Sequence, residues 1–151
     1  MTDMIEIRTI DHVGIRVADI DRAIAFYALF GFAPVQYASG DAVVVIKNPH
    51  GVEINLIYNA NDANGGRNIL MDVPAKYAGY THVAFRVASV AATMATLNEK
   101  GIVITQGPVS FGADGHVSVF LRDPDRNVIE LRGRQEDLSA LAGVTNYEPK
   151  N

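Results

Sequence analysis

Four residues of types that can hold a metal ion or move a proton fall in two similar settings in this chain. His12 opens the run His12-Val-Gly-Ile-Arg-Val-Ala18, and His82 opens the matching run His82-Val-Ala-Phe-Arg-Val-Ala88. His, Val, Arg, Val and Ala recur in register. Glu53 interrupts the apolar run Gly51-Val-Glu-Ile-Asn-Leu56, and Glu130 interrupts Asn127-Val-Ile-Glu-Leu131. A carboxylate in a half-buried strand needs a partner, because burying an unpaired charge is costly. Two imidazoles with one or two carboxylates suit Zn, Fe(II), Ni, Co or Mn, and leave coordination positions open for water and substrate. The chain has no cysteine, so thiolate metal sites, disulfides and a cysteine nucleophile are excluded.

The elements that must carry these residues follow from periodicity. In the first copy, alternation puts His12, Gly14 and Arg16 on one strand face and Val13, Ile15 and Val17 on the other. Asp19 is an N-cap for a helix with Ile20, Ala23, Ile24, Tyr27 and Phe30 at helical spacing, ending at Gly31. In the second copy Ser89 is the cap, Val90, Met94 and Leu97 face inward, and Gly101 ends the helix. If the helices cover the valine faces, the His–Arg faces look the other way. Strand-like runs follow at Phe32–Tyr37, Ala42–Lys47 and Val52–Tyr58, then at Val103–Gln106, Val117–Arg122 and Val128–Arg132. The turns Asn48-Pro-His-Gly51 and Asp123-Pro-Asp-Arg-Asn127 separate the last two strands of each copy.

The expected fold class is therefore α+β: two βαβββ modules, an internal duplication, forming curved mixed sheets around a metal-binding cleft. One domain of 151 residues divides into a first module over about 8–58, a polar linker over 59–79, a second module over about 80–133 and a tail over 134–151, with a short helix around Glu136–Ala142. The net charge of −4 comes without a clustered basic face, which argues against nucleic-acid binding. No apolar run approaches the roughly 18 residues of a membrane span, and acids near the N-terminus are unlike a signal peptide. A cytoplasmic protein is expected.

The segment from His12 to Tyr27 resembles the opening of a glyoxalase-family (vicinal oxygen chelate) module. Arg122-Asp-Pro-Asp-Arg-Asn-Val-Ile-Glu-Leu131 resembles that family's closing motif, in which the Glu is a metal ligand. The resemblance covers about residues 8–133 and looks closest to small bacterial glyoxalase I-like proteins. It implies one divalent metal ion (Ni, Co, Zn, Fe or Mn) held by His12, His82, Glu130 and, as fourth ligand, Glu53. Matching Leu56 to the Leu after the family's Glu instead places Asn55 at the fourth position, and both side chains share a face. A homodimer acting on a small molecule is implied.

The leading function is a glyoxalase I-like lyase or isomerase acting on a small 2-oxoaldehyde–thiol adduct, with Glu53 and Glu130 catalytic. Glutathione is the implied cosubstrate, and Arg16 resembles a contact to its carboxylate. Arg16 in a cross-strand salt bridge is the structural alternative. An extradiol-type ring-cleaving dioxygenase would need only His12, His82 and Glu130, but places Phe120 where such enzymes tend to carry an acidic Tyr. His116 would then be an acid–base residue, or a rim histidine. An epimerase or an antibiotic-modifying transferase is a further alternative. The fosfomycin-modifying transferases usually carry Thr where Gly14 stands. A metal-free bleomycin-resistance-like binding protein uses the same fold without the ligand set.

Overall fold

The computed structural model describes residues 3–38, 40–61, 63, 65–112, 115–134 and 143–148. The chain divides into two units, Met1–Ala63 and Asn64–Asn151.

In the first unit the order is β1 (Val13–Arg16), α1 (Ile20–Ala28), β2 (Ala33–Tyr37), β3 (Val43–Lys47) and β4 (Glu53–Ile57). The sheet order is β1-β4-β3-β2. β1 and β4 run parallel, with Gly14 level with Asn55, and the other pairs are antiparallel. Two-residue alternation sorts the side chains as the sequence predicts. Ile15, Val17, Val44, Ile46, Ile54 and Leu56 are buried together with Ala23 and Tyr27 of α1. Glu53, Asn55, Gly14 and Arg16 lie on the alternate positions. The Asp19 carboxylate accepts from the Arg22 amide at 3.0 Å and fixes where the helix starts.

The second unit repeats this order. β5 (His82–Arg86), α2 (Val90–Glu99), β6 (Ile104–Ser110), β7 (His116–Arg122) and β8 (Val128–Arg134) are followed by a two-residue strand, β9 (Thr145–Asn146). The sheet order is β5-β8-β7-β6-β9. β5 and β8 are parallel, with His82 level with Val128 and Ala84 level with Glu130. Val117, Val119 and Leu121 of β7 are buried with Ile129 and Leu131 of β8 and Val90 and Leu97 of α2. Ser89 Oγ accepts from the Ala92 amide at 3.0 Å. Gly31 and Gly101 follow the two helices with φ of 85° and 70°, where a side chain would be strained. Each unit is thus a βαβββ module with an open mixed sheet.

Three differences from the sequence reading have physical causes. β6 extends to Ser110 rather than stopping at Gln106, because its register slips twice and absorbs Gly107-Pro108 as a bulge. Gly107 has φ of 100°, and a Cβ there would lie 2.5 Å from the Ser118 carbonyl oxygen, so only glycine allows this approach. β7 begins at His116, paired with Arg134, so that histidine sits on the sheet. β9 was not anticipated, since two polar residues carry no strand signal of their own. The expected helix at Glu136–Ala142 lies outside the described residues. Among the described residues no helix is long and apolar enough to cross a membrane.

Candidate functional site

In the second unit the predicted residues His82 and Glu130 meet. His82 Nε2 lies 3.1 Å from Glu130 Oε1. Glu130 is 6% exposed, and its other oxygen accepts from Ser118 Oγ at 2.8 Å. Ser118 sits on β7, fully buried, on the face that also carries His116 and Phe120. Its hydroxyl fixes one carboxylate oxygen and leaves the other turned to His82. Arg132, two residues further along β8, brings Nη1 to 3.9 Å from Glu130 Oε2. His82 Nδ1 lies 2.9 Å from Thr81 Oγ1. A hydroxyl can donate or accept, so Thr81 supports His82 both as a proton donor and as a metal ligand through Nε2.

In the first unit His12 Nδ1 lies 2.6 Å from Asp11 Oδ1 and 3.7 Å from Glu53 Oε2. In each module, then, the residue just before the histidine engages Nδ1; in the second module Nε2 faces Glu130, whereas in the first the same Nδ1 also faces Glu53. Lys47, level with Glu53 across β3 and β4, holds Glu53 Oε1 at 3.3 Å. Asp11, His12 and Glu53 present donor atoms within 4.8 Å of one another. Asn55 lies in register with Gly14, as Glu130 does with Ala84, so the position equivalent to Glu130 holds an amide. Glu53 corresponds to Val128 and not to Glu130. The Asn55 Oδ1 atom is buried without a hydrogen-bond partner. Arg16 donates from Nε to Asn59 Oδ1 at 3.0 Å, a contact within its own module. His116 Nε2 stands 3.4 Å from Arg86 Nη1, on the same sheet face as Glu130.

The residues fit a divalent metal. Imidazole nitrogen with carboxylate oxygen is a donor set for first-row divalent ions. The orphaned Asn55 oxygen is a neutral donor in the equivalent place of the other module.

A cavity of about 500 Å³ opens in the second unit, lined by His82 and Glu130 among others. That size suits a small organic ligand. Phe120 stands edge-on to His82, with ring centroids 5.8 Å apart. It supplies no hydroxyl where a ring-cleaving enzyme would want an acid.

Sequence reasoning passed over Asp11, Thr81 and Ser118. The first two precede the histidines, and that adjacency was the available signal. Asp72 was also missed, inside the presumed linker. Arg126 chelates its carboxylate through Nε at 2.6 Å and Nη2 at 3.0 Å, and Arg122 Nη2 adds a contact at 3.0 Å. The Asn68 amide donates to Asp72 at 2.8 Å. The hydrogen bond from Arg126 is the main reason that the Asp72 carboxyl ionises well below the usual carboxylate range; burial opposes it. This ties residues 68–72 to the β7–β8 turn, and Met71 and Arg122 line the cavity. Because the folded state lowers this pKa, the stabilisation is full above the unfolded value near 3.9 and is lost as pH falls through the folded one. Asp72→Asn is expected to cost about 1–2 kcal/mol at pH 7, since part of the network meets solvent. Urea unfolding should show that gap narrowing steadily below about pH 4.

The family model described as Glyoxalase/Bleomycin resistance protein/Dioxygenase superfamily matches residues 9–131. The chain is 31% identical over 135 residues to the glyoxalase domain-containing protein RDO1 of Mycosarcoma maydis, covering 87% of this chain and 72% of that one. Among solved structures, VPC_CASS1 from the mobile metagenome of V. Pseudocholerae is 28% identical, with a TM-score of 0.63, over 87% of this chain and 98% of that one. The virulence protein STM3117 of Salmonella typhimurium is 27% identical, with a TM-score of 0.60, over 86% and 99%.

Proposed function

Because the chain belongs to the Glyoxalase/Bleomycin resistance protein/Dioxygenase superfamily, we propose that it is a divalent-metal-dependent lyase of glyoxalase I type, isomerising the adduct of a small 2-oxoaldehyde and a thiol such as glutathione. The observation that carries this is the buried Glu130 carboxylate, anchored by Ser118 and turned to His82 on a cavity wall. Isomerisation of such an adduct moves a proton between adjacent carbons. It needs a base that is held in place and shielded from water. Glu130 Oε1 is the base, and its second oxygen is immobilised by Ser118 so that the first stays aimed at the cavity. His82 and Glu130 would also be the ligands of the second unit, and His12 and Glu53 those of the first. A divalent ion held there would supply Lewis acidity to the bound adduct. Glu53, with one oxygen held by Lys47 and the other beside His12, is the second carboxylate available for proton transfer.

One observation favours a second reading. The amide of Asn55 at the position equivalent to Glu130 reduces the carboxylates at that position to one, which suits an extradiol-type dioxygenase using His12, His82 and Glu130 on iron. Phe120, without a hydroxyl, weighs against it. Metal-loaded protein tested with the methylglyoxal–glutathione hemithioacetal and with catechol under oxygen separates the two. Isomerisation without ring cleavage is expected; ring cleavage without isomerisation replaces the lyase by the dioxygenase. Glu53→Gln is expected to lower hemithioacetal turnover about 10²–10⁴-fold, the usual contribution of a positioned acid–base group. Wild-type turnover in that protein would remove Glu53 from the chemistry.

A further inference from the structure

The cavity beside His82 and Glu130 has an aromatic wall that the proton-transfer chemistry does not use. Phe120 is edge-on to His82, Phe111 lies 6.2 Å from Phe120, and Tyr147 lies 4.8 Å from Phe111, all between ring centroids. The rings form a continuous run leading away from the His82–Glu130 pair, and all three line the cavity. Phe111 is 41% and Tyr147 43% exposed. Rings recruited only to fill a core would be buried, whereas these leave large apolar area in water beside an opening. Tyr147 arrives from far along the chain. β9 pairs with the end of β6, Thr145 level with Val109 and Asn146 level with Ser110, and the Tyr147 amide donates to the Ser110 carbonyl at 2.8 Å. Backbone bonding therefore places this side chain without help from its ring.

We propose that Phe111, Phe120 and Tyr147 form an aryl subsite and that Tyr147 is a specificity-determining residue. The preferred ligands carry an aromatic ring next to a pair of vicinal oxygens. The oxygens meet His82 and Glu130, and the ring stacks along Phe111 and Tyr147. An alkyl group offers those ring faces little area and gains less from them. This deepens the functional reading above and rests on it for the end of the cavity that receives the oxygens.

Mandelate and lactate share the same hydroxyl and carboxylate and differ in the phenyl ring, so the ratio of their dissociation constants isolates the subsite. Isothermal titration of the full-length, metal-loaded protein is expected to show mandelate bound about tenfold more tightly than lactate. Tyr147→Ala should bring the ratio to within about twofold without weakening lactate, and Tyr147→Phe should keep the wild-type ratio. A wild-type ratio near one, no binding of either acid, or a preference that survives in Tyr147→Ala overturns the subsite. Lyase turnover is measured separately. A protein that turns over no hemithioacetal yet keeps the ratio loses the lyase reading alone, and one that isomerises without the ratio loses the subsite alone.

Discussion

Glu130→Gln is expected to lower hemithioacetal turnover about 10²–10⁴-fold. The substitution is nearly isosteric. The Gln side-chain carbonyl can still accept from Ser118 Oγ, so the buried contact that positions the group in wild-type protein survives. The lost features are the negative charge and the basicity of Oε1, 3.1 Å from His82 Nε2. A fold that stays intact with a collapsed kcat/KM separates chemistry from packing. The melting temperature should move by only a few degrees, because a satisfied polar atom replaces a satisfied polar atom. Undiminished turnover would show that Glu130 is a structural partner of Ser118 and His82 and nothing more.

His82→Ala is expected to abolish stoichiometric metal binding. The imidazole is partly exposed at the start of β5 and contributes no core packing, so circular dichroism should be unchanged. Removing it takes away the imidazole nitrogen that faces Glu130, one of two imidazoles in the proposed ligand set, and first-row divalent ions favour imidazole donors. Metal analysis of protein purified without chelator or polyhistidine tag reads the result directly. Metal retained at full occupancy in the His82→Ala protein would take His82 out of the site.

The duplicated architecture was legible because two signals of different kinds repeated together. The His-x-x-x-Arg strand has period two, and the capped helix that follows it has period 3.6. Asp19 and Ser89 both cap as expected; the valine face is buried at Ile15 and Val17 in the first copy and half-buried at Val83, Phe85 and Val87 in the second. The pairing of His82 with Glu130 was legible as a shared donor set. The fourth carboxylate was not, because Glu53 and Asn55 are two residues apart on one strand and alternation gives them the same face. Only the parallel register decides their level, setting Asn55 opposite Gly14 and leaving Glu53 beside His12. Ser118 was hidden for a related reason. A small polar residue between valines looks like surface alternation until the antiparallel partner brings Glu130 beside it. Asp72 and Tyr147 were illegible because their partners lie far away in sequence. Arg126 is remote from Asp72, and Ser110 is remote from Tyr147, so no local pattern could announce either contact.

The outer margin of the second sheet has a consequence for how the protein behaves in crowded solution. A long straight strand at a sheet border is a template on which another chain can add itself. β6 offers such a template poorly. Pro108 has no amide hydrogen to donate, two register slips bend the strand, and β9 occupies the hydrogen-bonding groups at Val109 and Ser110. The border then passes to β9, only two residues long and too short to seed cross-chain pairing. The segment that brings Tyr147 to the cavity therefore also guards that border against strand-by-strand aggregation.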